Sequence, residues 1–396
     1  MNHHLSDRIN KLTTSQTLAM AAMARELKAQ GKDIISLSLG EPDFNTPDFI
    51  KDAAKKAIDE NYSTYSPVDG YLDLKQAICR KFKRDNNLDY TPDNIVVSTG
   101  AKQSLYNIAQ VMINEGDEVI LPAPYWVSYY EIIRIAGGIP VEVPTSVESD
   151  FKITPAQLEA AITPKTKMVW YSSPCNPSGS VYSREELTAL SKVLLKHENI
   201  FVVSDEIYEH INFSGIFCSI ASIPGMLERT ITVNGVAKAW AMTGWRIGYI
   251  GAPDYIAKAC TKMQGQVTSG ANSIAQRATI AAVEADPAVL NEMVSAFKGR
   301  RDLVIAKMKE IPQFKINIPE GAFYVFPDVS YFFGKTLRGT KIENANDFSM
   351  YLLKEANVAT VDGAAFGNPD CLRLSYATSE AQLEEALRRI KEALQD

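Results

Sequence analysis

Cysteine is scarce in these 396 residues: Cys79, Cys175, Cys218, Cys260 and Cys371 are five in number, widely spaced and without a Cys-x-x-Cys pair. That pattern supports neither a disulfide framework nor a zinc site, and it suits a reducing cytoplasm. A basic surplus is also missing. The 41 Lys and Arg against 47 Asp and Glu give a net charge of −6. No basic block exists that would release counterions along a phosphate backbone, so nucleic acid is not an expected partner. Long apolar runs are absent: the longest uncharged stretch, Ile211 to Leu227, is broken by Asn212, Ser214, Gly215, Ser219, Ser222 and Pro224. It does not read as the roughly 20-residue span of a membrane helix. Met1 to Asn10 is polar, lacks the apolar core of an export signal and reads as a surface arm. Neither Gly-x-x-x-x-Gly-Lys-Ser/Thr nor a Gly-x-Gly-x-x-Gly turn between strand and helix occurs, which removes the common nucleotide-binding readings.

What is present is a compact chain, 46% hydrophobic and 22% charged, long enough for a large domain with a satellite. Between about residues 94 and 265, short β-branched runs alternate with helical patterns, the mark of βαβ units on a mainly parallel sheet. Strands are expected at Ile95–Ser98, Glu118–Leu121, Ile139–Val143, Met168–Tyr171, Phe201–Ser204, Thr230–Val233 and Arg246–Ile250. Several are continuous apolar runs, as befits strands buried on both faces. Leu105, Ile108, Ala109 and Met112 form a helical stripe after Gly100, and Ser183 with Glu186 is a capping box for the next marked helix. After Pro287 the texture becomes α+β: a charged helix over about Ala288 to Glu310, an extended segment around Ala322–Phe326, and a last helix capped by Ser379 with Gln382. An N-terminal helix, about Thr17 to Gln30 and stopped by Gly31, can join that satellite. The expected organisation is therefore a three-layer α/β/α domain over 48–287 and a smaller α+β domain made of 288–396 with the arm and helix of 1–47.

Chemistry-bearing residues cluster at expected strand ends. Ser98-Thr99-Gly100-Ala101-Lys102 turns from strand straight into helix and offers free backbone N–H groups to an anion. Lys238 follows a strand in an apolar stretch, a setting that lowers a lysine's pKa and equips it for Schiff-base chemistry. Asp205 ends the run Phe201-Val202-Val203-Ser204, on the sheet edge where ligands of α/β folds bind, and must find a cationic or donor partner there. Tyr208 follows three residues later, and Asn176 is held between Pro174 and Pro177. Each feature alone has a plain structural reading: a loop lysine, a helix cap, an ordinary Pro-Gly turn.

Together they resemble the class I aminotransferases of the fold-type I pyridoxal-phosphate (PLP) enzymes, most closely the prokaryotic aspartate aminotransferase subgroup. The resemblance runs from about Ser36 to Arg388. It rests on Leu39-Gly40-Glu41-Pro42-Asp43-Phe44, Tyr65, Gly100-Ala101-Lys102, Pro124-Tyr125-Trp126, Asn176-Pro177-Ser178-Gly179, Ser204-Asp205-Glu206-Ile207-Tyr208, Lys238 through Arg246, and Arg373-Leu374-Ser375-Tyr376-Ala377-Thr378. It implies that Lys238 forms the internal aldimine with PLP and later shuttles the Cα proton, and that Asp205 pairs with the ring nitrogen. Tyr208 and Asn176 would bond the ring oxygen, and Trp126 would stack on the ring. Arg246 and the N–H groups of Ala101 and Lys102 would hold the phosphate, joined by Tyr65 from the other subunit of a homodimer with shared sites. Arg373 would clamp the substrate α-carboxylate, assisted by Trp126, Asn176 and the Gly40 backbone, while Lys102 would read a distal carboxylate. The implied reaction is ping-pong amino transfer between aspartate or glutamate and 2-oxoglutarate or oxaloacetate. An aromatic or broad-specificity aminotransferase, or a β-lyase, would use the same residues. The chain departs from the pattern at Gly235 and Ala237, where many relatives carry hydroxyl residues that bind the phosphate.

Overall fold

In the computed structural model, residues 4–215 and 217–395 are described, so the first three residues of the arm lie outside them. Ser6 caps a single helical turn, Asp7–Asn10, and the first long helix is Gln16–Ala29. The strands are β1 (Ile35–Ser36), β2 (Ile95–Ser98), β3 (Glu118–Ala123), β4 (Ile139–Pro144), β5 (Thr166–Ser172), β6 (Phe201–Asp205), β7 (Thr230–Gly235) and β8 (Gly248–Gly251). Beyond them come β9 (Tyr324–Val325), β10 (Thr336–Leu337), β11 (Thr340–Lys341), β12 (Val358–Ala359), β13 (Val361–Asp362) and β14 (Leu372–Ser375).

The main sheet has seven strands in the order β2-β8-β7-β6-β5-β3-β4. All its pairings are parallel except those of β8, which runs antiparallel to both β2 and β7. Because β8 is reversed between them, β2 and β7 end on the same edge, and Gly248 faces both Ser98 and Gly235. Alternation of side chains sorts the core. Val119, Leu121, Met168, Trp170 and Val203 pack on one face, and Ile120, Val169, Tyr171 and Val202 on the other. Helices cover both faces, giving the expected three-layer α/β/α arrangement.

Toward the C-terminus a three-stranded antiparallel sheet, β13-β14-β9, lies with helices Asn291–Met308 and Glu380–Ala393. The N-terminal segment packs here: β1 pairs in parallel with β12, and Ala24 and Ile34 pack with Leu353 and Ala359.

Three sequence expectations need correction. Arg246 is not in a strand. It closes the short turn Thr243–Trp245 with φ 58° and ψ 52°, and β8 begins only at Gly248. The helix expected from Ala288 is divided: Asp286 accepts from the Ala288 N–H to start a 3₁₀ turn, Pro287–Leu290, and the α-helix runs Asn291–Met308. The extended segment 322–326 shrinks to the two residues of β9, with Ala322 before it at φ 56°.

Candidate active site

The anion cup forms where β2 ends. Gly100 caps the helix Ala101–Met112 with φ 82°. As at any helix start, the first N–H groups face outward without an intrahelical acceptor. A Cβ on Gly100 would overlap the Arg246 guanidinium, so glycine is what lets that side chain lie across the helix start. Arg246 is steadied by donating from Nη1 to the Thr243 carbonyl at 2.8 Å; its left-handed backbone turns the side chain back toward the cup.

Asp205 is the last residue of β6 and is buried. The Tyr129 hydroxyl donates to its Oδ2 at 2.6 Å, and the Ile207 N–H donates to Oδ1 at 3.3 Å. Burial still pushes this carboxyl up to about 6, against the pull of Tyr129, Ile207 and Lys238. Trp126 stands edge-on to Tyr129, with ring centres 5.5 Å apart.

Lys238 follows β7 and is partly buried; its Nζ donates to the Gly40 carbonyl at 2.6 Å. Burial, with help from the Arg373 charge, holds it down to about 8, while Glu41 and Asp205 oppose the shift. Such an amine is deprotonated far more readily at neutral pH than a surface lysine.

Arg373, on β14, is 1% exposed. It donates from Nη1 to Asn176 Oδ1 at 3.0 Å and from Nη2 to the Ser38 carbonyl at 2.5 Å, whereas Nε is buried with no partner. The Tyr324 and Phe366 rings lie 4.7 and 4.9 Å from its guanidinium carbon. Lys102 stands at the cup with its ammonium 4.8 Å from the Trp126 ring centre. Loss of hydration and the nearby Arg246 keep its pKa below the ordinary lysine value.

Gly40, Ala101, Lys102, Trp126, Asn176, Asp205, Tyr208, Lys238, Arg246 and Arg373 all line one cavity of about 370 Å³. Tyr65 does not. It is 96% exposed and absent from this cavity's lining. Sequence reasoning missed Tyr129, Tyr324 and Thr17, which also line it; the Thr17 hydroxyl is buried without a partner. Tyr129 lies in the first turn of the helix Ser128–Ile135, just after the Pro124-Tyr125-Trp126 motif, whereas nothing local marks Tyr324 or Thr17. The glycine at 235 has a steric reason: a Cβ there would sit 2.9 Å from the Ile247 carbonyl oxygen and 3.1 Å from Ile207.

Directly after Asp205, Glu206 is buried outside the cavity. Ser204 and Ser219 donate to its Oε1 at 2.9 and 2.6 Å, but Oε2 has no partner. Burial pushes it up to about 8. The native state therefore holds this proton through a range in which the unfolded chain has lost it, so stability falls as pH rises from about 4.5 to about 8, by at most about 1.4 kcal/mol per pH unit. Glu206→Gln is expected to flatten that slope, seen as a smaller drop in Tm between pH 5 and pH 9; an unchanged drop would remove Glu206 as its source.

Nearby, Asp85, Glu209 and His210 are close enough to share a cation, but the Lys81 ammonium already pairs with Glu209 and Asp85.

Residues 32–390 match the family model for class I and II aminotransferases. An aspartate/prephenate aminotransferase from Cereibacter sphaeroides is 49% identical over 390 residues, covering 98% of both chains. The aspartate aminotransferase of Bacillus subtilis is 48% identical over 389 residues, again 98% of each. Among solved structures, the aspartate aminotransferase from Rhizobium meliloti superposes with a TM-score of 0.95 at 45% identity, covering 98% of each chain. With both the family model and these relatives spanning nearly its whole length, the chain belongs to the class I and II aminotransferase family.

Proposed function

We propose that this aminotransferase uses PLP held by Lys238 and moves the amino group between aspartate or glutamate and 2-oxoglutarate or oxaloacetate. The observation that carries the reading is the meeting of Lys238, Asp205 and Arg373 in one cavity beside the anion cup. The donor set suits the cofactor. Asp205 is a desolvated carboxyl that a cationic ring nitrogen would satisfy, and the helix start with Arg246 offers donors to a phosphate. When bound, PLP supplies a ring that accepts the electron pair left at the substrate Cα.

In this reading Asp205, oriented by Tyr129, would pair with the ring nitrogen and favour its protonated form. Tyr208 and Asn176 would hydrogen-bond the ring oxygen, and Trp126 would stack on the ring. Arg246 and the N–H groups of Ala101 and Lys102 would hold the phosphate together with Tyr65 of the partner subunit, which would make the homodimer the working unit. Arg373 clamps the α-carboxylate, with Asn176 and the Gly40 backbone beside it; its unpaired Nε is a further donor. With the cofactor bound, the Lys238 amine would take the Cα proton and later give it back, acting as base and acid in turn. Since one Arg373 serves both donor and acceptor, the first product must leave before the second substrate enters, and ping-pong kinetics follow. Residues 1–47 with 288–396 form the smaller unit around Arg373 in this reading, and 48–287 the larger. Among the described residues no helix is long and apolar enough to cross a membrane, and all five cysteines are free thiols, which supports a cytoplasmic location.

Lys102 reads the distal carboxylate. Lys102→Ser is expected to raise KM for aspartate by about 10-fold or more, the worth of one charge-assisted hydrogen bond, with far less effect on phenylalanine. Equal losses for both would take Lys102 out of specificity. A second reading, a wider substrate range, is favoured by Leu18 and Leu39, apolar residues that also line the cavity. They would accept a ring-bearing oxo acid such as the prephenate named for the Cereibacter relative.

A further inference from the structure

Tyr324 belongs to none of the motifs that suggested the site, yet it joins the site's two halves. It lies on β9, opposite Ser375 of β14, the strand that carries Arg373. Its side chain is fully buried. Its hydroxyl is 2.7 Å from the Tyr208 hydroxyl, and either oxygen could be the donor. The two rings meet edge to face, with centres 5.8 Å apart.

The direction of that hydrogen bond follows from what surrounds it. A buried phenol proton needs an acceptor. Around the Tyr324 hydroxyl, Gly40 presses so close that a Cβ there would overlap it, yet among the described contacts the Tyr208 oxygen is the one hydrogen-bond partner of that hydroxyl. Arg373, on the ring face, has donors only. Tyr208 is the acceptor that these contacts offer the Tyr324 proton. With that bond received, the Tyr208 proton is free to point into the cavity. The opposite polarity would strand the Tyr324 proton and turn Tyr208 away from any ligand.

Resting on the reading of the cavity as a PLP site, we propose that Tyr324 is a positioning residue: it donates to Tyr208, fixes Tyr208 as a donor toward the cofactor's ring oxygen, and so sets how tightly the Lys238 nitrogen holds its proton. A phenol that receives a hydrogen bond is the stronger donor. The better Tyr208 neutralises the ring oxygen, the less that oxygen holds a proton on the neighbouring lysine nitrogen. The charged or titratable groups facing this arrangement are Arg373 from β14, Asp205 from β6, and Glu41 and Arg246 around Lys238. Tyr324→Phe alters none of them and keeps the ring against Arg373.

The test is a pH titration of the visible absorbance of the PLP-loaded dimer for the unmodified protein, Tyr324→Phe, Tyr208→Phe and the double variant. Tyr324→Phe is expected to raise the midpoint by about 0.5 to 1 pH unit, the worth of one net hydrogen bond. Tyr208→Phe should raise it at least as far. The double variant should match Tyr208→Phe, because Tyr324 acts through Tyr208. Binding of maleate, which has no amino group to react, should change less than about 2-fold in Tyr324→Phe, because the ring against Arg373 remains. An unchanged midpoint in Tyr324→Phe, or shifts that add in the double variant, overturns the inference while leaving the PLP site standing. An unmodified protein with no titrating band overturns the reading of the cavity and this inference with it.

Discussion

Lys238→Ala is expected to lower kcat by about 10⁴-fold or more, the combined loss of a covalent anchor and an acid-base group, while leaving the melting curve nearly unchanged. The lysine reaches the cavity from the turn after β7, where burial and the Arg373 charge bring its pKa down to about 8. The other lysine lining the cavity, Lys102, sits on a different element with its ammonium over Trp126. It is not placed to take over from an amine anchored on Gly40. Single-turnover release of the 2-oxo acid, measured beside a thermal melt, separates lost chemistry from lost fold. A folded Lys238→Ala protein with undiminished turnover would reject the assignment.

Arg373→Lys is expected to lower kcat/KM for amino acids and 2-oxo acids by about 10² to 10³-fold, mainly through KM. The guanidinium is fixed by Asn176 and the Ser38 carbonyl and lies against the Tyr324 and Phe366 rings. An ammonium cannot reproduce that flat, forked geometry. The loss should vanish for a primary amine that lacks a carboxylate, because such a substrate makes no use of the clamp. An equal loss for that amine would assign Arg373 a structural role instead.

Strands β2, β5, β6 and β7 were legible because they are short β-branched runs buried almost throughout, and that pattern is local. The two-residue strands were not, since β1 and β12 are too short to show a period and exist only because they pair across more than 300 residues. Arg246 misled for a related reason. Arg-Ile-Gly-Tyr-Ile reads as a strand, but the cup needs that side chain turned back across Gly100, and the backbone at 246 is left-handed to achieve it. The site divides the same way. Lys238, Asp205 and Asn176 announce themselves at the ends of readable strands. Tyr129 and Tyr324 contact Asp205 and Tyr208 from 76 and 116 residues away, and no sequence spacing signals such meetings.

The most direct measurement mixes the purified PLP-loaded dimer with aspartate alone, no 2-oxo acid being present, and follows visible absorbance together with oxaloacetate release. The expected result is bleaching of the yellow protein with about one oxaloacetate per chain, after which the reaction stops until 2-oxoglutarate restores the colour. Protein that keeps its colour with aspartate alone, or that yields product only when both substrates are present together, would contradict amino transfer through this cavity.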